Sequence, residues 1–321
     1  MMVAVPTSAP TSEAPRSRGR RQRLTLERVI FFALFLGLPL LVYVLFVVSP
    51  FLQAFYYSLT DWRGVSAQQT FVGLMNYATL FEDENFRTAL WHNGILLVVL
   101  PLVTISLAYA LAVLVTIGGD SRGEVKGIKG ASVYRVISFF PYVIPAVVIG
   151  ILFAFIYAPG GGLLNGLLSL VGIDSQIAWL GSPRFAMIAV LVAVVWNMVG
   201  FYMVLFVAAI KAVPSEIIEA ARLDGCGRMR LSVRIVLPMI RENVSTALVY
   251  MGIMALDLFV FINVMTPNGG TSKSTEVVSR YLYETAFQKS NFGLASAMGV
   301  VMAVFTMIMA MIVLLASRKK D

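Results

Sequence analysis

Residues 212–238 read Ala212-Val-Pro-Ser-Glu-Ile-Ile-Glu-Ala-Ala-Arg-Leu-Asp-Gly-Cys-Gly-Arg-Met-Arg-Leu-Ser-Val-Arg-Ile-Val-Leu-Pro238, a polar stretch set between two long apolar blocks. Pro214 followed by Ser215 starts a helix with Ser215 as its N-cap, and Ile218 and Glu219, three and four residues on, only loosely match a capping box. The helix runs to Asp224, where Gly225 is the residue type that permits a left-handed turn at a helix end. Beyond it Met229, Leu231, Val233, Ile235 and Leu237 alternate with Arg230, Arg234 and other polar positions until Pro238 stops the run. The expected product is a knob of two short helices joined at a glycine.

The flanking blocks, about 185 to 210 and 244 to 265, belong to a set of six, the others being about 29 to 51, 91 to 117, 133 to 157 and 292 to 316. Each is long enough for a helix to cross a hydrocarbon core of about 30 Å, and none shows the ten-residue alternation of a membrane β-barrel strand. Composition agrees. The 321 residues are 59% hydrophobic and 13% charged, with a mean hydropathy of +0.83, where soluble domains run at roughly 45–50% apolar and about 25% charged. That excludes a conventional water-soluble enzyme, and disorder over most of the chain, which requires low hydrophobicity. The fold class is an all-α membrane protein, a six-helix bundle.

The net charge of +8 comes from 25 basic and 17 acidic residues, and its placement makes it a topology signal. With the N-terminus in the cytoplasm, nineteen basic residues fall inside and six outside (Arg63, Arg87, Arg184, Lys273, Arg280, Lys289), the bias of a chain with both termini cytoplasmic. This removes the nucleic-acid reading of the charge. Residues 1–28 read as a disordered basic tail rich in Pro and Arg, residues 29–317 as the transmembrane domain with its cytoplasmic loop 212–238, and 318–321 as a short cytoplasmic tail. The apolar stretch after Arg28 is longer than a signal-peptide core and lacks a small-residue cleavage site, so it reads as an uncleaved anchor.

Outside the membrane, Ser58 to Leu90 reads as a solvated loop with the acidic run Glu82, Asp83, Glu84, and Ala158 to Ile173 as a glycine turn followed by a short amphipathic surface helix. No Gly-Lys-Ser/Thr follows these glycines, and the Gly118 to Gly123 spacing is followed by Glu124, so there is no phosphate-cradling nucleotide loop. One cysteine, Cys226, excludes an internal disulfide framework and a cysteine zinc cluster; one histidine, His92, removes His-rich metal sites. His92 reads as a solvated interfacial residue, and Cys226 as a small packing residue.

The order Glu219-Ala220-Ala221, three residues, Gly225, nine residues, Ile235, one residue, Leu237-Pro238 resembles the cytoplasmic signature loop of binding-protein-dependent ABC importer permeases. The resemblance covers nearly the whole chain from about residue 30. Thr60-Asp61-Trp62, Phe71-Val-Gly-Leu-Met-Asn-Tyr77, Gly162-Leu-Leu-Asn165, Ala178-Trp179-Leu180, Val195 to Met203 and Gly293-Leu-Ala-Ser-Ala297 look like the sugar and glycerol-phosphate branch, and specifically the first of its two unlike permease subunits. The chain departs from that pattern at Asn268-Gly269-Gly270-Thr271, where Gly-Gly-Pro is usual, and at Ser232, where Phe is common.

What the resemblance implies is an inner-membrane subunit with no cofactor and no catalytic residue of its own. Its partners would be a second, non-identical permease, two cytoplasmic ATPases that bind ATP and Mg, and an extracytoplasmic solute-binding protein; the mechanism would be alternating access. It further implies an ATPase-coupling surface at Glu219, Ala220, Ala221, Asp224, Gly225, Ile235, Leu237 and Pro238. In this reading the two alanines let a partner close over the helix, the Glu219 carboxylate offers a charge-assisted contact, and Gly225 sets the angle between the arms.

Charged side chains inside spans are rare and functional by default, and Asp257 is the only acid deep in a block. At helical spacing Asp257 shares a face with Tyr250, Ile253, Met254 and Phe261, a mixture of aromatic and hydrogen-bonding groups that suits a sugar. The competing reading is a structural Asp bonded to a neighbouring helix or to the partner permease. Asn197 and Tyr202 in the fourth block are parallel pathway candidates with the same alternative. Pro141 and Pro145 are expected to bend the third span. Rival functions are an importer permease for peptide or amino acid, an ion-coupled secondary transporter, which calls for more intramembrane acids and internal repeats, and a membrane scaffold.

Overall fold

The computed structural model describes residues 26–64, 68–117, 127–173 and 176–317. The basic tail up to residue 25, the Gly118 to Gly123 stretch and the tail 318–321 lie outside them. Four of the apolar blocks form unbroken helices of membrane-crossing length: Ile30–Tyr57, Glu84–Ile117, Ala186–Lys211 and Phe292–Val313. Two form bent pairs, Ala131–Val143 with Ala146–Ile156 at 98°, and Arg241–Leu256 with Phe259–Met265 at 44°. Counting each pair as one span gives six, in the places read from the sequence. Among the described residues the only β pairing is a single antiparallel bridge between Thr60 and Phe71.

The break in span three has its cause in the sequence. Pro disfavours the α conformation of the residue before it and has no N–H to continue the ladder, and Ile144 is extended (φ −77°, ψ 132°) before Pro145. The break in span five contains no proline. It falls at Asp257 (φ −113°, ψ 61°) and Leu258, so the acid found in the block marks the end of a helix rather than its middle.

The chain divides after Leu52 into two compact units. In the second, spans two and four pack along each other; the first half of span three lies on span four, and the first half of span five lies between spans two and six. The second halves of spans three and five pack chiefly on each other. Between lipid-solvated helices the hydrophobic effect gives no net drive, so close backbone approach at small residues does the work. Ala108, Ala112, Ala193, Ala247 and Ala255 are fully buried. At Gly200 a Cβ would lie 1.7 Å from the Ser138 carbonyl oxygen, so only glycine lets span four meet the backbone of span three.

Three sequence expectations are corrected. The second half of the Ser58 to Leu90 stretch is helical, with Met75–Glu82 as one helix and span two beginning at Glu84. Ser215 is the first helical residue, not the cap: Pro214 occupies the cap position, extended at ψ 129°, and no side chain caps the helix. The second arm of the loop does not stop at Pro238; Arg228–Leu231 continues through a π-helical Ser232–Val236 to Met239. Its buried residues are accordingly Leu231, Ser232, Val236 and Ile240, at helical rather than alternating spacing. The short surface helix is present as Leu163–Leu170.

Candidate functional site

The loop between spans four and five is an elbow of two helical arms. Its first helix, Ser215–Leu223, is closed by Gly225 at φ +75°. The Cys226 N–H bonds the Ala221 carbonyl at 2.9 Å and the Gly225 N–H bonds the Arg222 carbonyl at 3.0 Å, the paired bonds of a Schellman ending. Ile218 and Ala221 are buried against the bundle. Arg222 Nη2 donates to the Ile117 carbonyl at the end of span two (3.4 Å), and Tyr109 Oη in that span donates to the Ser232 carbonyl at 2.8 Å. Ser232 is buried with its Oγ on the Met229 carbonyl, so this departure from the usual Phe faces the bundle and not a partner.

The opposite face carries the exposed residues. Leu223 and Met229, 90% and 78% exposed, project on either side of Gly225. Ala220 and Asp224 are exposed beside them, with Pro238 further along, while Ile235 and Leu237 are half-buried. The two alanines are therefore split between faces, Ala220 outward and Ala221 inward. Glu219 is half-buried and lines a cleft of about 610 Å³ together with Arg135, Lys211, Ser215 and the ends of the neighbouring spans.

The six pathway candidates also separate. Tyr250, Met254 and Asp257 lie exposed at the end of the first half of span five. Phe261 does not join them: the break changes the helix phase and Phe261 is buried in the core. Asn197 is 2% exposed and its Nδ2 donates to the Pro141 carbonyl at 2.6 Å. Tyr202 is buried with its ring edge-on to Phe201, 5.1 Å between centroids. Asn197, Tyr202 and Phe261 are thus buried within the bundle in this structure. Among the described residues no group of three His, Cys, Asp or Glu could hold a metal ion.

Residues 123–321, which contain this loop, both broken spans and span six, match the family described as binding-protein-dependent transport system inner membrane component. The chain belongs to that family. It is similar to the diacetylchitobiose uptake system permease protein NgcF of Streptomyces coelicolor, 49% identical over 99% of this chain and 92% of that one. It is also similar to the trehalose/maltose transport system permease protein MalF of Thermococcus litoralis, 29% identical over 88% of this chain and 92% of that one. Its fold matches the crystal structure of a bacterial ABC transporter involved in the import of the acidic polysaccharide alginate, with a TM-score of 0.78 at 22% identity, covering 92% of this chain and 97% of that one. The protein is a multi-pass inner-membrane permease.

Motifs of the permease that lie far apart in sequence meet in space. Asn76 Nδ2 donates to the Ser58 and Thr60 carbonyls, both at 2.8 Å. Trp62 packs on Tyr57 and Phe292, and the Gly293 N–H bonds the Trp62 carbonyl at 2.9 Å. Trp179 Nε1 donates to Asn165 Oδ1 at 2.9 Å while Asn165 Nδ2 reaches the Ile177 carbonyl at 3.1 Å. These residues buckle loops to spans.

Sequence reasoning missed a buried ionic cluster between spans five and six. Arg280, 2% exposed, lies between Glu276, which is fully buried, and the partly exposed Glu284, 2.6 Å from Glu284 Oε2. Lys273 reaches Glu276 at 3.2 Å, and Lys289 reaches Glu284 at 2.9 Å. Burial works to raise the Glu284 pKa, but the hydrogen bonds from Lys289 and Arg280 outweigh it and hold the carboxyl at about 2. Burial, then the hydrogen bond to the Asp83 carboxylate, pushes the Tyr281 hydroxyl up; Asp83 also receives the Asn85 N–H at the start of span two. The legible signal was Glu276, Arg280 and Glu284 at i, i+4 spacing. His92 is tied here as well: a carbonyl only accepts, so its Nδ1–H donates to the Glu276 carbonyl at 2.8 Å.

Proposed function

We propose that this permease is one of two unlike membrane subunits of an ATP-driven importer and forms half of the path for a sugar, taken up by alternating access. The 49% identity to a diacetylchitobiose permease over nearly the whole chain supports the sugar class, and a small N-acetylated oligosaccharide is the first substrate to test. ATP and Mg belong to two partner ATPases on the cytoplasmic side, and an extracytoplasmic solute-binding protein delivers the sugar; this subunit makes and breaks no bonds.

The observation that carries the coupling role is the elbow at 212–238. Its inward face is bonded to span two through Arg222 and Tyr109, so a force on the loop is passed to the bundle. Its outward face offers Leu223 and Met229, the two most exposed large apolar side chains of the loop, the anchors a partner's cleft takes up. Glu219, Ala220, Asp224, Gly225 and the Ile235 to Pro238 turn complete the surface. Tyr250, Met254 and Asp257 offer the sugar an aromatic face and a hydrogen-bonding carboxylate.

The test is uptake of radiolabelled diacetylchitobiose by proteoliposomes holding the complex purified with this subunit, with ATP inside. Wild type takes up the sugar only with ATP and binding protein present. Glu219→Lys places a third cation beside Arg135 and Lys211, so it is expected to insert normally, keep ATP hydrolysis and lose uptake by about tenfold or more. Uptake driven by an ion gradient without ATP would sink the importer reading, and normal uptake by Glu219→Lys would remove that residue from the coupling contact.

A further inference from the structure

We propose that five aromatic side chains, Trp62, Phe292, Phe287, Tyr283 and Phe259, form a sugar-stacking strip that takes an oligosaccharide ring by ring from the membrane surface to Asp257. This rests on the import reading above.

The five rings make one unbroken row. Between centroids Phe259 lies 5.0 Å from Tyr283, Tyr283 5.1 Å from Phe287, Phe287 5.5 Å from Phe292, and Phe292 5.4 Å from Trp62. One end of the row is two residues from Asp257, which is exposed, as are Tyr250 and Met254. The other end lies between Asp61 and Arg63, in the segment that follows span one. Span five rises from the 212–238 loop, and the row lies past its break. It therefore stands across the membrane from that loop, on the side where import begins.

The exposed rings face water rather than lipid. Tyr283 and Phe287 are 40% and 63% exposed, and the residues around Phe287 are Glu284, Gln288, Lys289, Ser290 and Asn291, a stretch too polar for the hydrocarbon core. An interfacial aromatic belt is built of Trp and Tyr, whose polar tips reach the headgroups. Phe259, Phe287 and Phe292 have no such tip. An aromatic face kept in water suits a pyranose. Its C–H groups lie against the electron-rich ring face, while its hydroxyls reach hydrogen-bonding groups at the rim, Tyr283 Oη, Gln288 and finally Asp257.

Both ends of the row are held by the fold. Tyr283 and Phe287 bracket Glu284, just before and within the π-helical turn Glu284–Gln288, and Glu284 is clamped by Arg280 at 2.6 Å and Lys289 at 2.9 Å. At the other end the Gly293 N–H bonds the Trp62 carbonyl at 2.9 Å. Gly64, at φ +84°, lets its loop pass Phe292, where a Cβ would lie 2.1 Å from Cδ2. The ionic cluster thus has a use beyond stability, since it sets Tyr283 and Phe287. Rings placed in advance lose little freedom when a sugar binds.

Position 287 is exposed enough to carry a photoreactive ring. With p-benzoylphenylalanine in place of Phe287, the reconstituted complex is irradiated with radiolabelled diacetylchitobiose, binding protein and ATP. Label is expected on this subunit, competed by unlabelled diacetylchitobiose but not by the open-chain polyol sorbitol. Cross-linking of the subunit to the second permease or to the binding protein, without label, would make Phe287 an interface residue and overturn the strip.

Phe287→Leu keeps apolar bulk and removes the ring face. It is expected to assemble, to keep binding-protein-stimulated ATP hydrolysis within about twofold, and to move about fivefold less sugar per ATP, a ratio that Phe287→Tyr restores. An unchanged ratio in Phe287→Leu, or uptake and ATP hydrolysis falling together, overturns the strip while leaving sugar import intact. Failure of the import reading looks different: the wild-type complex itself then moves neither diacetylchitobiose nor any other oligosaccharide on ATP, and the strip falls with it.

Discussion

Glu284 is where a single side chain has the clearest thermodynamic signature. Its folded pKa of about 2 lies below the ordinary 4.5, so in the pH range between them the unfolded state binds protons that the native state refuses. Its contribution to stability is therefore fully present above about pH 4.5 and is lost as pH falls toward about 2. Thermal unfolding of the detergent-solubilised permease should show Glu284→Gln to be less stable than wild type at pH 6, with the gap narrowing as pH falls from about 4.5 toward about 2; a gap independent of pH would detach the carboxylate from Lys289 and Arg280. The cluster was readable as charge spacing, but not as buried. Burial depends on Gly269 approaching Glu276, where a Cβ would lie 2.4 Å from Oε2, and on the left-handed Asn268, Ser272 and Lys273 that fold the hairpin over it. Those conformations stand at the segment where the chain departs from the familiar Gly-Gly-Pro.

Among the helices, glycine separates two kinds of contact that hydropathy treats alike. Gly200 and Gly94 both sit inside apolar spans, yet a Cβ at 200 would strike the Ser138 carbonyl at 1.7 Å while a Cβ at 94 meets nothing within 4 Å. Gly200→Ala is expected to push span four off the backbone of span three at a cost of about 1–3 kcal/mol, and Gly94→Ala to be neutral or slightly stabilising through helix propensity. Thermal unfolding of the two variants side by side checks this, and equal behaviour would count against the close approach. The six blocks were legible because hydrophobic length alone sets a span, and the bend in span three because proline is its own signal. The break at Asp257 was not legible as a break, since no proline marks it; the Leu256 carbonyl beside it is met by Asn93, 163 residues away in sequence. The burial of Phe261 is hidden for the same reason, because period alone does not show which way a helix turns after a break; that of Asn197 and Tyr202, in the unbroken span four, depends on which neighbour packs on each face.

The molecule as a whole has a built-in reporter of its orientation. Nineteen basic residues against six fall on the side of the 212–238 loop, and the chain's single cysteine, Cys226, lies in that loop, half-buried beside the Gly225 turn. If the positive-inside bias sets the topology, a membrane-impermeant maleimide should leave Cys226 unmodified in intact spheroplasts and label it in inverted vesicles. The ATPases give the same residue a second use. Leu223 and Met229 flank it, so a docked ATPase should shield the thiol, and stripping the peripheral subunits from inverted vesicles should raise the labelling rate. Labelling in spheroplasts would reverse the topology and move the elbow away from any cytoplasmic partner. Labelling in inverted vesicles at the same rate with and without the ATPases would keep the orientation but take the docking surface off Leu223 and Met229. Charge distribution and the exposed pair are independent properties of the chain, one of its whole length and one of a single turn, and this thiol reads both.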